Sequence, residues 1–178
     1  MTFGHGTLDR DSLAELITAA QIQRVVDVRR FPGSRANEAA AREAIPALLA
    51  KIGVDYRWDE RLGGRRHLNA EALRESPDSW WQVDAFRAYA AWTRTDEFRA
   101  GLAELIADVD RRSTAVMCSE SVWWRCHRRL ISDVMVIEQG IDVRHLMHDG
   151  RLVEHRPSDG AQQIPGDGRL VWDANLPT

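Results

Sequence analysis

The sequence predicts a single α/β domain with a mostly parallel sheet of about five strands and helices on both of its faces. Along the chain, apolar residues alternate between strand-like and helix-like spacing, which is typical of parallel strands joined by crossover helices. The 178 residues, of which 44% are hydrophobic and 29% charged, suit one folded domain with a sizeable core.

The predicted elements begin with a short strand, Met1 to Phe3, that enters the Gly4-His5-Gly6 turn. One face of the following helix is marked by Leu13, Leu16, Ile17 and Ala20. Arg24 to Val28 is compact and β-branched, so it predicts a buried strand, and the breaker Pro32-Gly33 follows it.

An Ala- and Leu-rich stretch from Glu38 to Lys51 predicts a helix that is interrupted or restarted at Pro46 and ended by Gly53. Val54 to Trp58 predicts the third strand. The polar stretch from Glu60 to Ser79 has no clean period, so we expect mainly a long loop there. Long loops in compact domains are often functional.

Helices are predicted again from Trp81 to Trp92 and after Thr95, a residue type that caps helix N-termini. The buried stripe of the second helix consists of Phe98, Leu102, Leu105, Ile106 and Val109. Thr114 to Cys118 predicts the fourth strand, which leads into another helix. The residues of that helix expected to face inward are Leu130, Ile131, Val134 and Met135.

Gly140 closes this helix, and Asp142 to Met147 predicts a fifth strand. The turn dipeptide Asp149-Gly150 then leads to Arg151 to His155. Three histidines spaced across this hairpin are expected at the surface, namely His145, His148 and His155. The predicted domain spans residues 1–156, and residues 157–178 are expected to form an extended tail pinned by Val171 and Trp172.

The sequence does not favour a membrane protein or a disulfide-rich one. No apolar run approaches the roughly 18 to 20 residues that a membrane span requires, and Met1 to Asp11 lacks a signal-peptide pattern. We therefore expect a cytoplasmic protein with no membrane partner. Two cysteines do not make a disulfide framework, so Cys118 and Cys126 are interpreted as thiols, metal ligands or buried apolar residues.

Arginine is unevenly placed in a chain whose net charge is −3. There are 23 Arg against the single Lys51, a bias that a GC-rich genome explains in part. Basic residues crowd into Arg24 to Arg35, Arg61 to Arg66 and Arg125 to Arg129. Guanidinium groups suit phosphate and carboxylate oxygens, so these windows indicate an anion site, the alternative being a rim of solvated arginines.

Ligands of open α/β sheets bind beyond the carboxyl ends of the parallel strands. The residues that this rule brings together are His5, Asp27, Arg29, Arg35, the Arg61 to Arg66 window, Cys118, Glu120 and His145. Asp27 and Arg29 share one face of their strand, where they form either a ligand anchor or a structural ion pair.

Two thiols flank the predicted end of the fourth strand: Cys118 closes the strand, and Cys126 lies beside an imidazole in the next helix. If that helix begins near Ser121, Cys126 and His127 point toward the sheet. Cys118 is then a candidate thiolate nucleophile, activated by the helix dipole and nearby guanidinium groups, with His127 or His5 as its base.

Other interpretations of the cysteines stay open. A metal site could use Cys118, Cys126, His127 and His5, although the spacing matches no common zinc pattern and adjacent helical residues diverge by about 100°. A tyrosine-phosphatase loop is rejected, because its Cys-x5-Arg spacing requires Arg where Trp124 stands. Alternatively, both cysteines are small buried residues without chemistry.

Ordered motifs along nearly the whole chain resemble the DUF488 family, a group of bacterial proteins of uncharacterised function. The matching stretches are Thr2-Phe3-Gly4-His5-Gly6-Thr7, Val26-Asp27-Val28-Arg29 with Pro32, Ser34 and Arg35, Leu62-Gly63-Gly64, Phe98, Cys118-Ser119-Glu120, and Cys126-His127-Arg128 with His145. The resemblance implies a Rossmann-like α/β domain with a pocket built from these motifs, and it implies no established reaction.

The sequence therefore predicts that the chain binds a small anionic, phosphate-containing or nucleotide-like ligand at the strand ends, with no cofactor assigned. The residues expected to bind this ligand are His5, Arg29, Ser34, Arg35, Gly63, Gly64, Arg128 and His145. The residues expected to orient groups, move protons or form a reactive centre are Asp27, Glu120, Cys118, Cys126 and His127. The alternatives are a nucleic-acid-binding or accessory module and a redox or metal-binding protein.

Overall fold

Six strands form the main sheet of the computed structural model, which describes residues 1–32 and 41–175. They are β1 (Thr2–Gly4), β2 (Arg24–Asp27), β3 (Asp55–Trp58), β4 (Thr114–Cys118), β5 (Arg144–Leu146) and β6 (Leu152–Glu154). Their order is β3-β2-β4-β1-β5-β6, and all neighbours are parallel except the β5–β6 hairpin. The predicted α/β class with a mostly parallel sheet is confirmed, and the topology is consistent with a Rossmann-like fold.

Helices pack on both faces of this sheet. In the described part of the chain the α-helices are α1 (Arg10–Ala19), α2 (Ala44–Lys51), α3 (Ala70–Arg74), α4 (Asp84–Trp92), α5 (Asp96–Arg111) and α6 (Arg128–Asp133). No helix among these residues is both long and apolar enough to cross a bilayer.

Side chains of β4 alternate between two hydrophobic clusters. Ala115 and Met117 pack with residues of α1 and α2, whereas Val116 and Cys118 pack with residues of α4, α5 and α6. This alternation is the two-residue period of a strand buried on both faces. It directs Cys118 toward the face that α4 and α6 cover.

Several predicted boundaries are confirmed by local contacts. The Thr95 hydroxyl caps α5 by accepting a hydrogen bond from the Phe98 amide at 3.3 Å. The helix predicted from Glu38 to Lys51 begins only at Ala44, and Pro46 lies in its first turn, where the missing N–H needs no partner. A π-helical turn, Val134–Glu138, extends α6, and Gly140 follows it with a φ of +65°.

Other boundaries differ from the prediction. The stretch from Glu60 to Ser79 is mainly loop, as predicted, but it also contains a 3-10 turn and α3, which the Asn69 side chain caps. The helix after β4 begins at Arg128 and not near Ser121, because the 3-10 turn Trp123–Arg125 comes first.

The C-terminal segment folds back onto the domain. It contains an antiparallel hairpin of β7 (Ala161–Gln163) and β8 (Leu170–Trp172), which the sequence did not predict. Trp172 is fully buried and its indole donates to Asp133 at 2.8 Å, so the predicted pinning of this segment by Trp172 is confirmed.

Candidate functional site

A cavity of about 330 Å³ opens at the carboxyl ends of the parallel strands. The amide of Val28 donates to the Met117 carbonyl at 2.9 Å, and that of His5 donates to the Cys118 carbonyl at 3.0 Å. The loops after β1, β2 and β4 therefore leave the sheet side by side. The residues that line the cavity are Arg29, Arg30, Phe31, Gly64, Arg65, Ala85, Phe86, Tyr89, Cys118, Ser119, Glu120, Arg125, Cys126 and His127.

The two cysteines meet at this cavity, with their Sγ atoms 2.8 Å apart. Cys118 is the last residue of β4. The 3-10 turn that follows is closed by a hydrogen bond from the Cys126 amide to the Trp123 carbonyl at 3.1 Å, and it returns Cys126 to the end of the strand. Both side chains are free thiols and are at least nine-tenths buried, so the pair can share a proton or form a bond.

Arg128 lies behind the sulfur atoms and is 1% exposed. Its Nε donates to the Cys118 Sγ at 3.0 Å, its Nη1 to the Thr2 hydroxyl at 3.3 Å, and its Nη2 to the Glu120 carbonyl. Among the described residues, no carboxylate forms an ion pair with this guanidinium. A buried cation is costly without a counter-charge, and the sulfur pair is the group placed to supply one as a thiolate.

His127 contacts the second sulfur. Its Nδ1 lies 3.5 Å from the Cys126 Sγ, and its Nε2 lies 3.2 Å from the Val28 carbonyl oxygen. Because a carbonyl only accepts, Nε2 carries a hydrogen, and Nδ1 can take the thiol proton. The ring packs edge-on against Tyr89 and directly over Gly64, where a Cβ atom would lie 2.8 Å from Nδ1. A glycine is therefore required beside the imidazole.

The two thiols differ in acidity. Burial, followed by the hydrogen bond and charge interaction with Cys126, raises the pKa of Cys118 well above its ordinary value. Burial would also raise the pKa of Cys126, but the hydrogen bond from Cys118 and the charges of His127 and Arg128 lower it well below its ordinary value. These two pKa shifts favour Cys126 as the thiolate and Cys118 as the thiol that donates to it. The sequence had instead indicated Cys118 as the candidate nucleophile.

Asp27 and Arg29 form a buried ion pair. Arg29 Nη2 lies 2.6 Å from one Asp27 oxygen, and Nε lies 2.9 Å from the other. The Tyr56 hydroxyl also donates to Asp27 at 2.9 Å. Asp27 does not line the cavity, whereas Arg29 does. The carboxylate thus positions a guanidinium that faces the cavity, an arrangement that combines the two sequence interpretations.

His5 lies beside this ion pair and does not line the cavity. Its Nδ1 is 3.0 Å from the Gly6 carbonyl oxygen, so this nitrogen carries the hydrogen, and its Nε2 accepts from Arg29 Nη1 at 3.3 Å. Burial, followed by the charge of Arg29, lowers the pKa of His5. Its side-chain hydrogen bonds are with Gly6 and Arg29, whereas His127 Nδ1 contacts the Cys126 sulfur, so the geometry favours His127 as the base beside the cysteines.

The remaining predicted residues are distributed as follows. Gly64 and Glu120 line the cavity, whereas Gly63 packs against the Arg30 backbone, where a Cβ atom would be 2.9 Å away. Ser34 and Arg35 lie outside the described residues.

His145 and His155 are not at the surface, contrary to the sequence expectation. They are 1% and 4% exposed, and their rings are joined by a 3.0 Å contact between His145 Nε2 and His155 Nδ1. His145 does not line the cavity. Of the three histidines, His148 is the exposed one.

Sequence reasoning missed part of the cavity wall. Arg30, Arg65 and Arg125 belong to the three basic windows, and this was the available signal for them. Phe86 and Tyr89 project from α4 at a helical spacing that is equally typical of core aromatics. Only the approach of α4 to the strand ends distinguishes them.

Among the described residues, no group of three or more His, Cys, Asp or Glu side chains is arranged to hold a metal ion.

Comparisons with known proteins give one match. No curated protein and no solved structure is significantly similar to the chain. The family model described as domain of unknown function DUF488 matches residues 9–135, which include both cysteines and Arg128. With most of its length matched in this way, the chain belongs to the DUF488 family.

Proposed function

We propose that the cavity binds a small anionic ligand and presents the Cys126 thiolate to it as a nucleophile. The observation that carries this proposal is the sulfur pair: two buried thiols in contact, one beside an imidazole and the other beside a buried guanidinium that has no carboxylate counter-ion among the described residues. Such surroundings stabilise a thiolate, and the thiolate is the reactive form of cysteine.

The charge of the cavity supports an anionic ligand. Of the described residues that line it, four are arginines and one, Glu120, is a carboxylate. Arg29 is neutralised by Asp27, but Arg65 and Arg125 are exposed and reach the cavity from two different loops. Arg30, which follows β2, donates to the Arg65 carbonyl at 2.8 Å and so joins the β2 loop to the loop that carries Arg65. Guanidinium groups in this arrangement can bind a phosphate or carboxylate from two sides.

The size of the cavity and its apolar wall restrict the choice of ligand further. A volume of about 330 Å³ is at the low end for small-molecule sites. Phe31 and Phe86 line the wall with the Tyr89 ring, which provides apolar surface beside the arginines. A ligand that combines one anionic group with a planar or apolar part, such as a mononucleotide, matches both properties.

Isothermal titration with AMP, ribose 5-phosphate and inorganic phosphate tests the binding step. We expect at least one of them to bind and to slow iodoacetamide modification of Cys126. Arg65→Ala and Arg125→Ala should each weaken binding about tenfold, because a hydrogen bond to a charged group contributes about 1.5–3 kcal/mol. Arg151→Ala, an exposed arginine that pairs with Asp149, is the matched control.

The binding proposal fails if none of these ligands binds, or if the Arg65→Ala, Arg125→Ala double variant binds as well as the unmodified chain. The nucleophile proposal fails if Cys126 reacts with iodoacetamide only above the ordinary thiol pKa of about 8.5.

A second candidate function is dithiol–disulfide exchange, favoured by the 2.8 Å distance between the sulfur atoms. The Cys126 thiolate would attack a low-molecular-weight disulfide RSSR and release RS⁻. Cys118 would then lose its proton, attack the Cys126 sulfur and release a second RS⁻, which takes that proton. The chain loses two electrons and RSSR gains them. Mass spectrometry after oxidised glutathione treatment should show an intramolecular disulfide, and a stable mixed disulfide alone would exclude this function.

A further inference from the structure

A line of five buried polar side chains leads from the sulfur pair into the interior of the domain. From Arg128 it passes through the Thr2 hydroxyl at 3.3 Å to His145 Nδ1, which is 2.8 Å from that hydroxyl. It continues from His145 Nε2 to His155 Nδ1 at 3.0 Å and ends where His155 Nε2 meets Asp133 at 2.8 Å. None of the five is more than 4% exposed.

The two ends of this line have opposite hydrogen-bonding roles, because Arg128 donates and Asp133 accepts. Arg128 can only donate. Asp133 accepts from the Ser158 amide, the Ser158 hydroxyl and the Trp172 indole, so it is held as an acceptor. Thr2 accepts from Arg128 and can donate its own hydroxyl hydrogen to His145 Nδ1. With Thr2 as the donor, His145 carries its hydrogen on Nε2 and donates it to His155.

His145 has a second connection to the sulfur pair. Its ring stacks on Trp123, with ring centroids 4.0 Å apart and planes within 8°. Trp123 begins the 3-10 turn and its carbonyl accepts from the Cys126 amide. The His145 imidazole therefore contacts the Thr2 hydroxyl, which bonds to Arg128, and also Trp123, which begins the turn before Cys126.

We propose that His145 is a positioning residue of the cysteine site, which orients Arg128 through Thr2 and supports the Cys126 turn through Trp123. This inference rests on the proposed function, because the role of His145 would be to help keep Cys126 as a thiolate. A neutral imidazole can accept from Thr2 at Nδ1 and donate to His155 from Nε2 at the same time. An apolar side chain would leave the Thr2 hydroxyl without its acceptor and His155 without its donor.

The surroundings of His145 keep the ring neutral. Burial, then the charges of His155, Arg128 and the N-terminal amino group, lower its pKa to about 3, while Cys126 acts in the opposite direction. The ring therefore stays an acceptor toward Thr2 throughout the neutral and mildly acidic range.

The test is the pH profile of iodoacetamide modification of Cys126, read by mass spectrometry. His145→Leu removes the acceptor, and Thr2→Val removes the hydroxyl while keeping the shape of β1. We expect both variants to modify Cys126 about tenfold more slowly near pH 7, with profiles displaced to higher pH. His145→Asn, whose Oδ1 can replace Nδ1 as the acceptor, should recover much of the rate. His67→Ala, at an exposed histidine, is the control.

The outcomes separate the two proposals. If Cys126 of the unmodified chain titrates as an ordinary thiol, the proposed function fails and this inference fails with it. If the unmodified chain has a reactive thiolate but Thr2→Val and His145→Leu keep its pH profile, the function stands and the role of His145 is refuted. Should His145→Leu not fold, Thr2→Val decides the question alone, because Val and Thr have nearly the same shape.

Discussion

Replacing Arg128 by Met removes a buried cation that contacts the sulfur pair and keeps an unbranched side chain in its place. The guanidinium lies 3.0 Å from Cys118 Sγ, and the sulfur atoms are 2.8 Å apart, so its Nε is within about 6 Å of the Cys126 sulfur. At an effective dielectric constant of about 20, two opposite charges at that distance attract by about 3 kcal/mol. Losing this attraction should reduce the thiolate population by up to about 100-fold.

The rate of Cys126 modification by iodoacetamide between pH 5 and pH 10 measures this effect. For the unmodified chain, the rate should be nearly constant down to the lowered pKa of Cys126 and fall below it. For Arg128→Met, the rate should start to fall at higher pH, by about tenfold per pH unit. Arg128→Lys should lie between them, because it keeps the charge but loses the Nε donor.

The reasoning would be refuted if Arg128→Met and the unmodified chain had the same profile. Thermal unfolding is the control for folding. We expect little loss of stability in Arg128→Met, because the variant buries no unpaired cation and the thiols can both be protonated. A large loss of stability with an unchanged pH profile would assign Arg128 a purely structural role.

Three further predictions follow from the same contacts. In Gly64→Ala the new Cβ would lie 2.8 Å from His127 Nδ1, so the imidazole should move away from Cys126. Modification of Cys126 by iodoacetamide should then slow about tenfold, and an unchanged rate would show that His127 does not act on the thiol. In Asp133→Asn the amide cannot accept all four hydrogen bonds that the carboxylate receives. Urea titration should therefore show that the free energy of unfolding falls by about 3 kcal/mol. A fall of less than about 1 kcal/mol would contradict the role of Asp133 as the acceptor of these bonds. In Cys118→Ser the Cys126 thiolate loses its thiol donor, so oxidised glutathione should leave a stable mixed disulfide, and its rapid release would mean that Cys118 is not the attacking thiol.

The sheet and the position of Cys118 could be predicted because they depend on local patterns. The β-branched runs and the Thr95 cap act over a few residues, and the alternation along β4 sends Cys118 to the face covered by α4 and α6. The strand-end rule pointed to the edge of the sheet at which the cavity opens. These inferences needed only the period of the side chains and the direction of the strands.

The arrangement of the sulfur atoms depends on longer-range geometry. A helix starting near Ser121 and a 3-10 turn at Trp123–Arg125 are both compatible with the sequence, but only the turn returns Cys126 to the end of β4. The partnership of His145 and His155 needs the register of the β5–β6 hairpin, in which His145 opposes Val153. No local sequence pattern marks a histidine pair that connects β5 to Asp133 of α6, so the sequence predicted a surface location for both histidines.

The supports of the cysteine site come from segments on both sides of the matched family region. That region, residues 9–135, contains the sulfur pair and Arg128, whereas Thr2 and His145 lie outside it and are paired across β1 and β5. Trp172, in β8, donates to the same carboxylate that receives His155. Because a buried guanidinium stays in place only while its hydrogen bonds are satisfied, the C-terminal hairpin is connected to the sulfur pair through Asp133, although none of its residues is among those that line the cavity. The β7–β8 hairpin therefore belongs to the physical description of this site as much as the residues that line the cavity.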